Sequence, residues 1–529
     1  GLPLVNALVG VGVGAAGALA FSSAVEMISV TPVLGVMLGL AVGIDYALFI
    51  VNRHRQELRR GTGLHESIAL ANGTSGNAVV FAGITVIVAL VGLNVTGIPF
   101  LGLMGTVGAV CVAVAVLVAV TLTPALLSLA GMRILSKKER ARLADEGPAS
   151  VAEGSAAVRR AGRRSTMSTP AAIASALAAV ALLVLVALPV GSMRLGLPDG
   201  STEPQDSTQY RAYETVAEDF GAGKNGPMTV VADLPEDADE QSAQELQLAV
   251  GQEVSELDDV ASVVPSPIDV DSGMALLQVV PESGPSDEAT ETLVDDIRGL
   301  SGNVEAAGDP TIGVAGRTAA NIDVSQVLSD ALPVYLAVVV AISMVLLILV
   351  FRSILVPVIA SLGFLLSLLA AFGAVVAVYQ WGWLSWLFNV TEPGPVLSFL
   401  PTLMVGILFG LAMDYQLFLV TGMREAHVHG YPARTAVVRG MVGGRAVVTA
   451  AAIIMTSVFA GFIFSHMAMI RPMGFGLATG VLFDAFLVRM TIIPALMTLL
   501  GEKAWWFPRW LDRILPNVDV EGESLQQGK

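Results

Sequence analysis

Long apolar stretches limit what this chain can fold into more than any other feature. A helix that crosses a bilayer needs about 20 consecutive apolar residues, and ten segments of the sequence meet that requirement. They lie at residues 2–22, 31–51, 76–95, 100–130, 170–191, 331–351, 354–379, 396–421, 445–465 and 470–500. Only 14% of the residues are charged, against roughly 25% in soluble proteins. The sequence therefore predicts a multi-pass membrane bundle of α-helices.

The charges that remain are divided unevenly. Residues 195–328 hold 27 Asp and Glu but only 4 Lys and Arg, a net charge of −23 in a chain whose total is −16. The rest of the chain therefore has a net charge of +7, concentrated in short loops between apolar segments. The acidic block predicts a soluble domain. It also argues against a nucleic-acid partner, because phosphates attract basic surfaces.

Basic residues predict the orientation of the bundle, because loops rich in Lys and Arg stay on the cytoplasmic side of a membrane. Such residues follow the second, fourth, eighth and tenth spans: Arg53, Arg55, Arg59, Arg60, Arg133, Lys137, Lys138, Arg140, Arg424, Arg434, Arg439, Lys503 and Arg509. Loops 52–75, 132–168 and 422–444 and the tail 502–529 are then cytoplasmic, and residues 192–328 are extracytoplasmic. Loop 132–168, rich in Ala, Gly, Ser and Arg, is predicted to be poorly ordered.

The acidic block has a pattern of its own. Short apolar segments predict strands and amphipathic segments predict helices, at residues 227–234, 241–257, 260–265, 274–280, 286–300 and 311–314. The order is βαββαβ, the split βαβ arrangement. We expect an α+β domain in which two helices cover one face of a four-stranded sheet.

The membrane segments are duplicated. The sequence GIDYALFIVNRHRQELRRG from Gly43 matches LAMDYQLFLVTGMREAHVHG from Leu411, and TPALLSLAG matches IPALMTLLG further along each copy. Residues 1–131 therefore correspond to residues 355–501 in the same order, the signature of an internal repeat.

The repeat predicts the domain organisation. The second copy follows two further spans and the soluble domain, so a counterpart of residues 170–354 is expected to precede this chain in the intact protein. Twelve spans and two soluble domains are then expected in all. The predicted parts of this chain are a first transmembrane repeat (1–131), a cytoplasmic linker (132–168), a transmembrane helix (169–191), an extracytoplasmic domain (192–328), a second transmembrane repeat (329–501) and a cytoplasmic tail (502–529).

Two acidic residues lie deep inside apolar spans. Asp45 and Asp414 occupy equivalent positions of the two copies, and each is followed by a tyrosine, Tyr46 and Tyr415. A charged carboxylate at this depth is costly unless it is neutralised, paired or hydrated. Successive helical residues point about 100° apart, so each aspartate is expected to meet the tyrosine of the facing helix. The pairs are predicted to bind and release protons. The alternative is a static pair of hydrogen bonds that joins two helices.

A third buried acid, Asp484, lies in the last span, five residues before Arg489. In an α-helix the two side chains would be offset by about 140°, so an intrahelical ion pair is expected to be imperfect. One or both are predicted to point toward the central site as coupling residues. The alternative is that Arg489 extends to the cytoplasmic edge of the membrane, with Asp484 as a local partner.

No motif indicates a cofactor or a metal. The glycine-rich segment GVGVGAAGALA lies inside an apolar span, which favours close helix packing over dinucleotide binding. No Walker motif is present, so ATP is not the visible energy source; the coupling ion expected from the buried carboxyls is the proton. The histidines lack acidic or cysteine companions at ligand spacing and are predicted to be solvated: His54, His65, His427, His429 and His466.

The segments GIDYALFI, GLAMDYQLFL, GFGLATGVLFDAFLVRM and WWFPRWLDRILPNVDVEGE resemble the MMPL (mycobacterial membrane protein large) family of the RND (resistance-nodulation-division) superfamily. The resemblance covers nearly the whole chain, which departs from the family pattern by lacking the first two helices and the first outside domain. It implies two membrane repeats, porter-like outside domains, and export of lipids, lipid conjugates or drugs driven by the proton motive force. It also implies a proton relay at Asp45, Tyr46, Asp414 and Tyr415, with coupling through Asp484 and Arg489.

Two other functions remain open from the sequence. One is a non-transporting receptor, like the sterol-sensing relatives of the superfamily, but the presence of both Asp-Tyr pairs argues against it. The other is an intramembrane aspartyl protease, which needs a Gly-x-Gly-Asp context, whereas Asp45 follows VGI and Asp414 follows LAM. We therefore expect a transporter rather than an enzyme. Its expected partners are the lipid bilayer of the cell membrane and a lipid or other hydrophobic substrate. The oligomeric state stays open, a homo-oligomer included.

Overall fold

The computed structural model describes residues 2–21, 30–137, 139–141, 168–235, 238–304, 308–388, 390, 392–428, 430–508 and 510–511. Most of the predicted linker 132–168, and residues 512–529 of the predicted tail, lie outside this description. Within it, nine helices are long and apolar enough to cross a membrane, and a shorter apolar helix, Leu2–Gly17, falls in the first predicted span. The prediction of a multi-pass helical bundle is confirmed.

The first repeat consists of five helices that pack through small residues. A Cβ atom at Gly14 or Gly35 would lie 3.3 or 2.9 Å from the Cys111 sulfur, so the glycines allow three helices to approach closely. The helices are α1 (Leu2–Phe21), α2 (Val30–Arg59), α3 (Leu64–Ala71), α4 (Asn77–Val91) and α5 (Pro99–Ala130). A π-turn joins α3 to α4, and together they form one membrane-crossing element.

The soluble domain has the predicted βαββαβ order. It follows the membrane helix α6 (Thr169–Ala187), a two-residue strand β1 (Leu195–Gly196) and an unpredicted helix α7 (Thr208–Phe220). Its elements are β2 (Met228–Asp233), α8 (Glu240–Ser255), β3 (Val260–Pro265), β4 (Met274–Pro281), α9 (Glu288–Gly299) and β5 (Ile312–Ala315).

The sheet is antiparallel, in the order β3-β4-β2-β5. Alternate residues of its central strands are buried, among them Val230 of β2 and its register partner Leu277 of β4. They pack against buried residues of both helices, such as Val250 of α8 and Val294 of α9. Period-2 burial of this kind places both helices on one face of the sheet, as predicted.

The second repeat begins with a helix that belongs to both domains. Helix α10 (Arg317–Phe351) runs without interruption from the soluble domain into the bundle, so the predicted boundary at residue 328 falls inside it. The remaining elements are α11 (Leu355–Val375), α12 (Ser385–Phe388), β6 (Val396–Leu397), α13 (Leu400–Val428), α14 (Ala433–Gly461), α15 (Ile470–Leu482), a π-helix (Phe483–Ile492) and α16 (Ile493–Leu500). Strand β6 pairs in parallel with β1, a contact that the sequence did not predict.

The two repeats pack around an axis of pseudo-two-fold symmetry. Helix α4 packs on α13, and its counterpart α14 packs on α2, which is the reciprocal contact. At the centre, Phe49 of α2 meets its own counterpart Phe418 of α13, with ring centroids 5.0 Å apart. Equivalent residues touch each other only close to a two-fold axis. The helices that carry Asp45 and Asp414 therefore face each other at the middle of the bundle, as predicted.

Candidate functional site

Asp45 is a buried carboxyl that faces the opposite repeat. It lies in the middle of α2 and is 2% exposed. Its carboxyl is within hydrogen-bonding reach of the hydroxyl of Tyr415 on α13, and that hydroxyl also contacts the sulfur of Met455. The second carboxyl oxygen, Oδ1, is buried and has no hydrogen-bond partner within the described part of the chain. The predicted contact between Asp45 and Tyr415 is present.

The reciprocal pair is described only in part. Tyr46 is 1% exposed and lies against Gly83 of α4. Asp414 belongs to α13 by its backbone, but its side chain lies outside what the structure describes. The predicted contact between Asp414 and Tyr46 therefore stays a prediction.

Asp484 and Arg489 form a buried ion pair, contrary to the imperfect pairing expected from an α-helix. Arg489 Nε donates to Asp484 Oδ2, and Arg489 Nη2 lies 3.3 Å from Asp484 Oδ1. The reason is local: residues 483–492 are π-helical. Backbone bonds there join residues five apart, which brings i and i+5 to the same side. Arg489 is 2% exposed, so the alternative in which it extends to the membrane edge is wrong.

Gln416 completes this group, and the sequence interpretation missed it. It follows Tyr415 on α13, is 1% exposed, and accepts a hydrogen bond of 3.2 Å from Arg489 Nη1. The available signal was a polar residue in an apolar span next to the Asp-Tyr motif. The amide thus connects the last helix to the helix that carries Tyr415.

A small cavity lies between the two polar groups. Its volume is about 10 Å³, and Ser367, Tyr415 and Asp484 supply polar groups to an otherwise apolar lining. That volume is close to the minimum that holds one water molecule. A single water there would lie between the Tyr415 phenol and the Asp484 carboxyl.

One of the histidines is not solvated, so that prediction was wrong for His54. His54 is fully buried at the end of α2, and its Nδ1 lies 3.1 Å from the Ser67 hydroxyl. His427 stacks on Trp505, with ring centroids 5.4 Å apart. No group of three or more metal-ligating side chains occurs among the described residues. His429 lies outside them.

The fold and the site together define a duplicated multi-pass membrane protein with ionisable residues at the contact of its repeats. The sequence profile of the MMPL family matches residues 1–173 and 201–517. The chain belongs to the MMPL family.

Three similar proteins illustrate the range of the family. The chain is 46% identical to membrane protein YdfJ of Bacillus subtilis, over 99% of this chain and 70% of YdfJ. It is 36% identical to the mycolic acid-containing lipids exporter MmpL11 of Mycolicibacterium smegmatis, over 92% of this chain and 50% of that protein. It is 26% identical to the trehalose monomycolate exporter MmpL3 of Mycobacterium tuberculosis, over 92% and 53%. The chain thus spans about half the length of these mycobacterial relatives.

Proposed function

We propose that the intact protein is a transporter that exports lipids or other hydrophobic molecules across the cell membrane, driven by the proton motive force. The observation that carries this proposal is the buried contact between Asp45 of one repeat and Tyr415 of the other. Ionisable residues inside a membrane are rare, and proton relays are among their main uses. Because this contact joins the two repeats, binding or release of a proton at Asp45 would change the interaction between the two halves.

Charge balance distinguishes Asp45 from Asp484 as the proton carrier. Protonation of Asp484 would leave Arg489 as an unpaired buried cation, and breaking a buried ion pair costs about 3–5 kcal/mol. Asp45 contacts a neutral phenol, so its protonation leaves no such cation behind. The partnerless Oδ1 atom also supports this role, because a proton or a water would satisfy it. We assign Asp45 and Tyr415, with Asp414 and Tyr46 by symmetry, to the relay, and Asp484 and Arg489 to coupling.

The substrate class follows from the relatives and from the surroundings of the site. Two relatives are named as exporters of mycolic acid-containing lipids and of trehalose monomycolate. The helices expose many large apolar side chains to their surroundings. A hydrophobic cargo would partition into the bilayer around them and could reach the protein from there. The basic loops support a cytoplasmic location for residues 52–75 and 422–444 and an extracytoplasmic one for the acidic domain 192–328.

The test replaces each carboxyl by an amide. Asp45→Asn and Asp414→Asn keep the size and the hydrogen-bonding capacity of the side chain but cannot carry a proton. We expect each to abolish export of the labelled lipid while membrane abundance on a blot stays normal. The lipid is first identified by comparing the lipids of a deletion strain with those of its parent. The matched control is Asp271→Asn, an exposed residue of the soluble domain, which should export normally.

The alternative of a static helix contact predicts the opposite result. An amide is cheaper to bury than a carboxyl that can ionise, so the asparagine variants would be at least as stable and would work normally. Near-normal export by either variant would show that the carboxyls are not the proton carriers.

A further inference from the structure

We propose that protons reach the Asp-Tyr centre through a line of buried hydroxyls between α10 and α13, formed by Ser325, Ser398, Thr402, Tyr335 and Ser343. The line begins at the end of the bundle that carries the soluble domain. It rests on the proposed function, since it supplies the route that a proton-driven transporter needs. Its components lie outside the Asp-Tyr motifs and outside the Asp484–Arg489 pair.

The outer end of the line is a pair of serines. Ser325 of α10 donates to the Asn321 carbonyl at 2.8 Å, and its oxygen lies 2.6 Å from Ser398 Oγ. Because Ser325 donates its hydroxyl hydrogen to the Asn321 carbonyl, Ser398 is the donor in the contact between the two serines. Ser325 is 8% exposed and Ser398 is 1% exposed. The two hydroxyls lie at the junction of the soluble domain and the bundle.

Tyr335 and Ser343 continue the line along α10. The Tyr335 hydroxyl donates to the Ala89 carbonyl at 2.8 Å and lies against Gly406 of α13, where a Cβ atom would collide with it. Deeper in the membrane, Ser343 Oγ contacts Met413 Sδ at 3.6 Å. Met413 is the residue before Asp414, so the line ends at the depth of the Asp-Tyr centre.

Thr402 occupies the gap between the serine pair and Tyr335. It lies four residues before Gly406, about one turn nearer the start of α13, so the two residues share a face of the helix. Since Gly406 lies against Tyr335 of α10, Thr402 faces α10 as well. It is 1% exposed, and its hydroxyl has no hydrogen-bond partner within the described part of the chain.

The unpartnered hydroxyl is the evidence for water. An unsatisfied buried polar group costs about 1–3 kcal/mol, and such groups in native proteins are commonly satisfied by an ordered water. Helix packing alone gives no reason for a threonine here. Valine has the same shape without the penalty. From Thr402 to Asp414 helix α13 rises about 18 Å, at 1.5 Å per residue. Waters between the hydroxyls would make it continuous.

Cysteine accessibility tests the route without reference to substrate. The only cysteine in this sequence is Cys111, so Cys111→Ala, with any cysteine elsewhere in the intact protein also replaced, provides the background. Ser398→Cys, Thr402→Cys and Ser343→Cys are each treated with a membrane-impermeant methanethiosulfonate, added in cells from the outside. The cysteine thiolate attacks the thiol sulfur of the reagent, which forms a mixed disulfide and releases methanesulfinate, and the thiolate forms in water and not in lipid. We expect reaction at all three positions, with rates that fall from 398 to 402 to 343.

Matched controls lie on the exposed side of α10 at the same depths, where we expect lipid. Val334 adjoins Tyr335 and Val345 lies near Ser343, and both are 58% exposed. Val334→Cys and Val345→Cys should react at least about tenfold more slowly than their partners on the line, because lipid suppresses thiolate formation. A Thr402→Cys thiol that reacts no faster than Val334→Cys would overturn the proposal.

A second variant separates this inference from the proposed function. Thr402→Val should slow export severalfold, and Thr402→Ser should restore it, because serine returns the hydroxyl. If Thr402→Val exports at the normal rate while Asp45→Asn is inactive, the relay stands and this route fails. If the cysteines react but Asp45→Asn exports normally, the proton-driven function fails, and the route loses its role with it.

Discussion

The two membrane repeats agree at one polar site and differ at another. Both place an Asp-Tyr pair at the same depth of α2 and α13. Only the second repeat adds Gln416, Asp484 and Arg489, which form a buried hydrogen-bonded group. Counted from Asp45 and Asp414, the equivalent of Gln416 is Ala47; counted back from Pro124 and Pro494, the equivalents of Asp484 and Arg489 are Val114 and Ala119.

The difference has a structural cause in one extra residue. The separation between the copies is 369 residues from Asp45 to Asp414 and from Gly105 to Gly474, but 370 from Pro124 to Pro494. The additional residue falls in the stretch that contains the π-helix Phe483–Ile492, whereas the corresponding part of α5 is a regular α-helix. A π-helix accommodates an extra residue without ending the helix and is frequent at functional sites.

The duplication therefore preserves the Asp-Tyr pairs and not the residues around them. Near the pseudo-two-fold axis the second repeat has a buried ion pair, whereas the aligned positions of the first repeat are apolar. In the proposed relay, the groups that respond to a change of charge at the centre therefore belong to the second repeat.

The largest effect is expected from breaking the ion pair at one end. Arg489→Ala leaves the Asp484 carboxyl buried without its cation, which should lower the free energy of unfolding by about 3–5 kcal/mol. The combined change Gln416→Ala, Asp484→Val and Arg489→Ala gives the second repeat the residues of the first. It should be far less destabilising, because no unpaired charge remains.

Both variants are compared with the parent by their thermal unfolding in detergent, followed by size-exclusion chromatography. Under the proposed function, in which Asp484 and Arg489 serve in coupling, the combined variant should also lose export. If Arg489→Ala proved as stable as the combined variant, the cost assigned to an unpaired buried Asp484 carboxyl would be wrong.

A smaller and symmetrical effect is expected at two equivalent glycines. A Cβ atom at Gly105 would collide with the Leu90 carbonyl oxygen, and one at Gly474 would lie 2.8 Å from the Phe459 carbonyl oxygen. Gly105→Ala and Gly474→Ala should each destabilise the protein by about 1–3 kcal/mol, because backbone cannot move aside easily. Gly12→Ala is the control, since no described atom lies within 4 Å of its Cβ position. A loss of stability confined to one repeat would show that the helix contacts are not equivalent.

The tyrosines should show a smaller loss of function than the aspartates. Tyr46→Phe and Tyr415→Phe remove a hydroxyl that water can replace in a wet site. Export rates in cells should therefore fall partially and by similar factors. A much larger loss for Tyr415→Phe would localise coupling to the second repeat, where Tyr415 lines the same cavity as Asp484. Complete loss in both would mean that the phenols themselves transfer the proton.

The smallest effect is expected at the ends of the helices that lie opposite the soluble domain. At the end of the first repeat, Glu139 contacts Arg59 and lies 3.3 Å from Arg55. At the end of the second repeat, Glu502 lies 3.5 Å from His427. Burial opposes ionisation of Glu139, but hydrogen bonds from Ser136 and Arg59 outweigh it and lower the pKa of its carboxyl to about 2. Glu139→Gln should cost about 0.2–1 kcal/mol near pH 7, as partly exposed ion pairs do, and Glu502→Gln less.

The sign of the pH dependence follows from the lowered pKa. The contribution of Glu139 is fully present above the unfolded value near 4.5 and is lost as pH falls toward 2. The difference in unfolding midpoint between the parent and Glu139→Gln should thus shrink between about pH 5 and pH 3. A difference that grew as the pH fell would refute the assignment.

Much of the fold was predictable because its causes are local. The spans follow from the thickness of the bilayer, and the helices lie where the apolar segments predict them. The βαββαβ order follows from alternating and amphipathic patterns in 227–314. Helix α10 shows the limit of that reasoning. Its first fourteen residues, from Arg317, lack a continuous apolar stretch, so the sequence did not reveal that they extend a membrane helix.

The contacts of the site were predictable where the internal repeat determined them. They were not predictable where they depended on the rotation of a helix about its axis. The duplicated motif indicated that Asp45 meets Tyr415, and the structure has that contact. The ion pair of Asp484 was misjudged because five-residue spacing was interpreted with α-helical geometry. His54 was assigned to solvent because its burial depends on helix α3, which covers the end of α2 and supplies Ser67.

By itself the sequence determined that the chain spans a membrane, that its halves are copies, and that each copy carries a carboxyl at mid-depth. These properties depend on the length of the hydrophobic segments and on the order of residues, and both are visible in the sequence alone. Only the tertiary structure decided which groups meet: Arg489 with Gln416, Ser325 with Ser398, and Thr402 with no described partner. Such contacts depend on the rotation and approach of whole helices, which are set by packing against neighbours far away in the sequence.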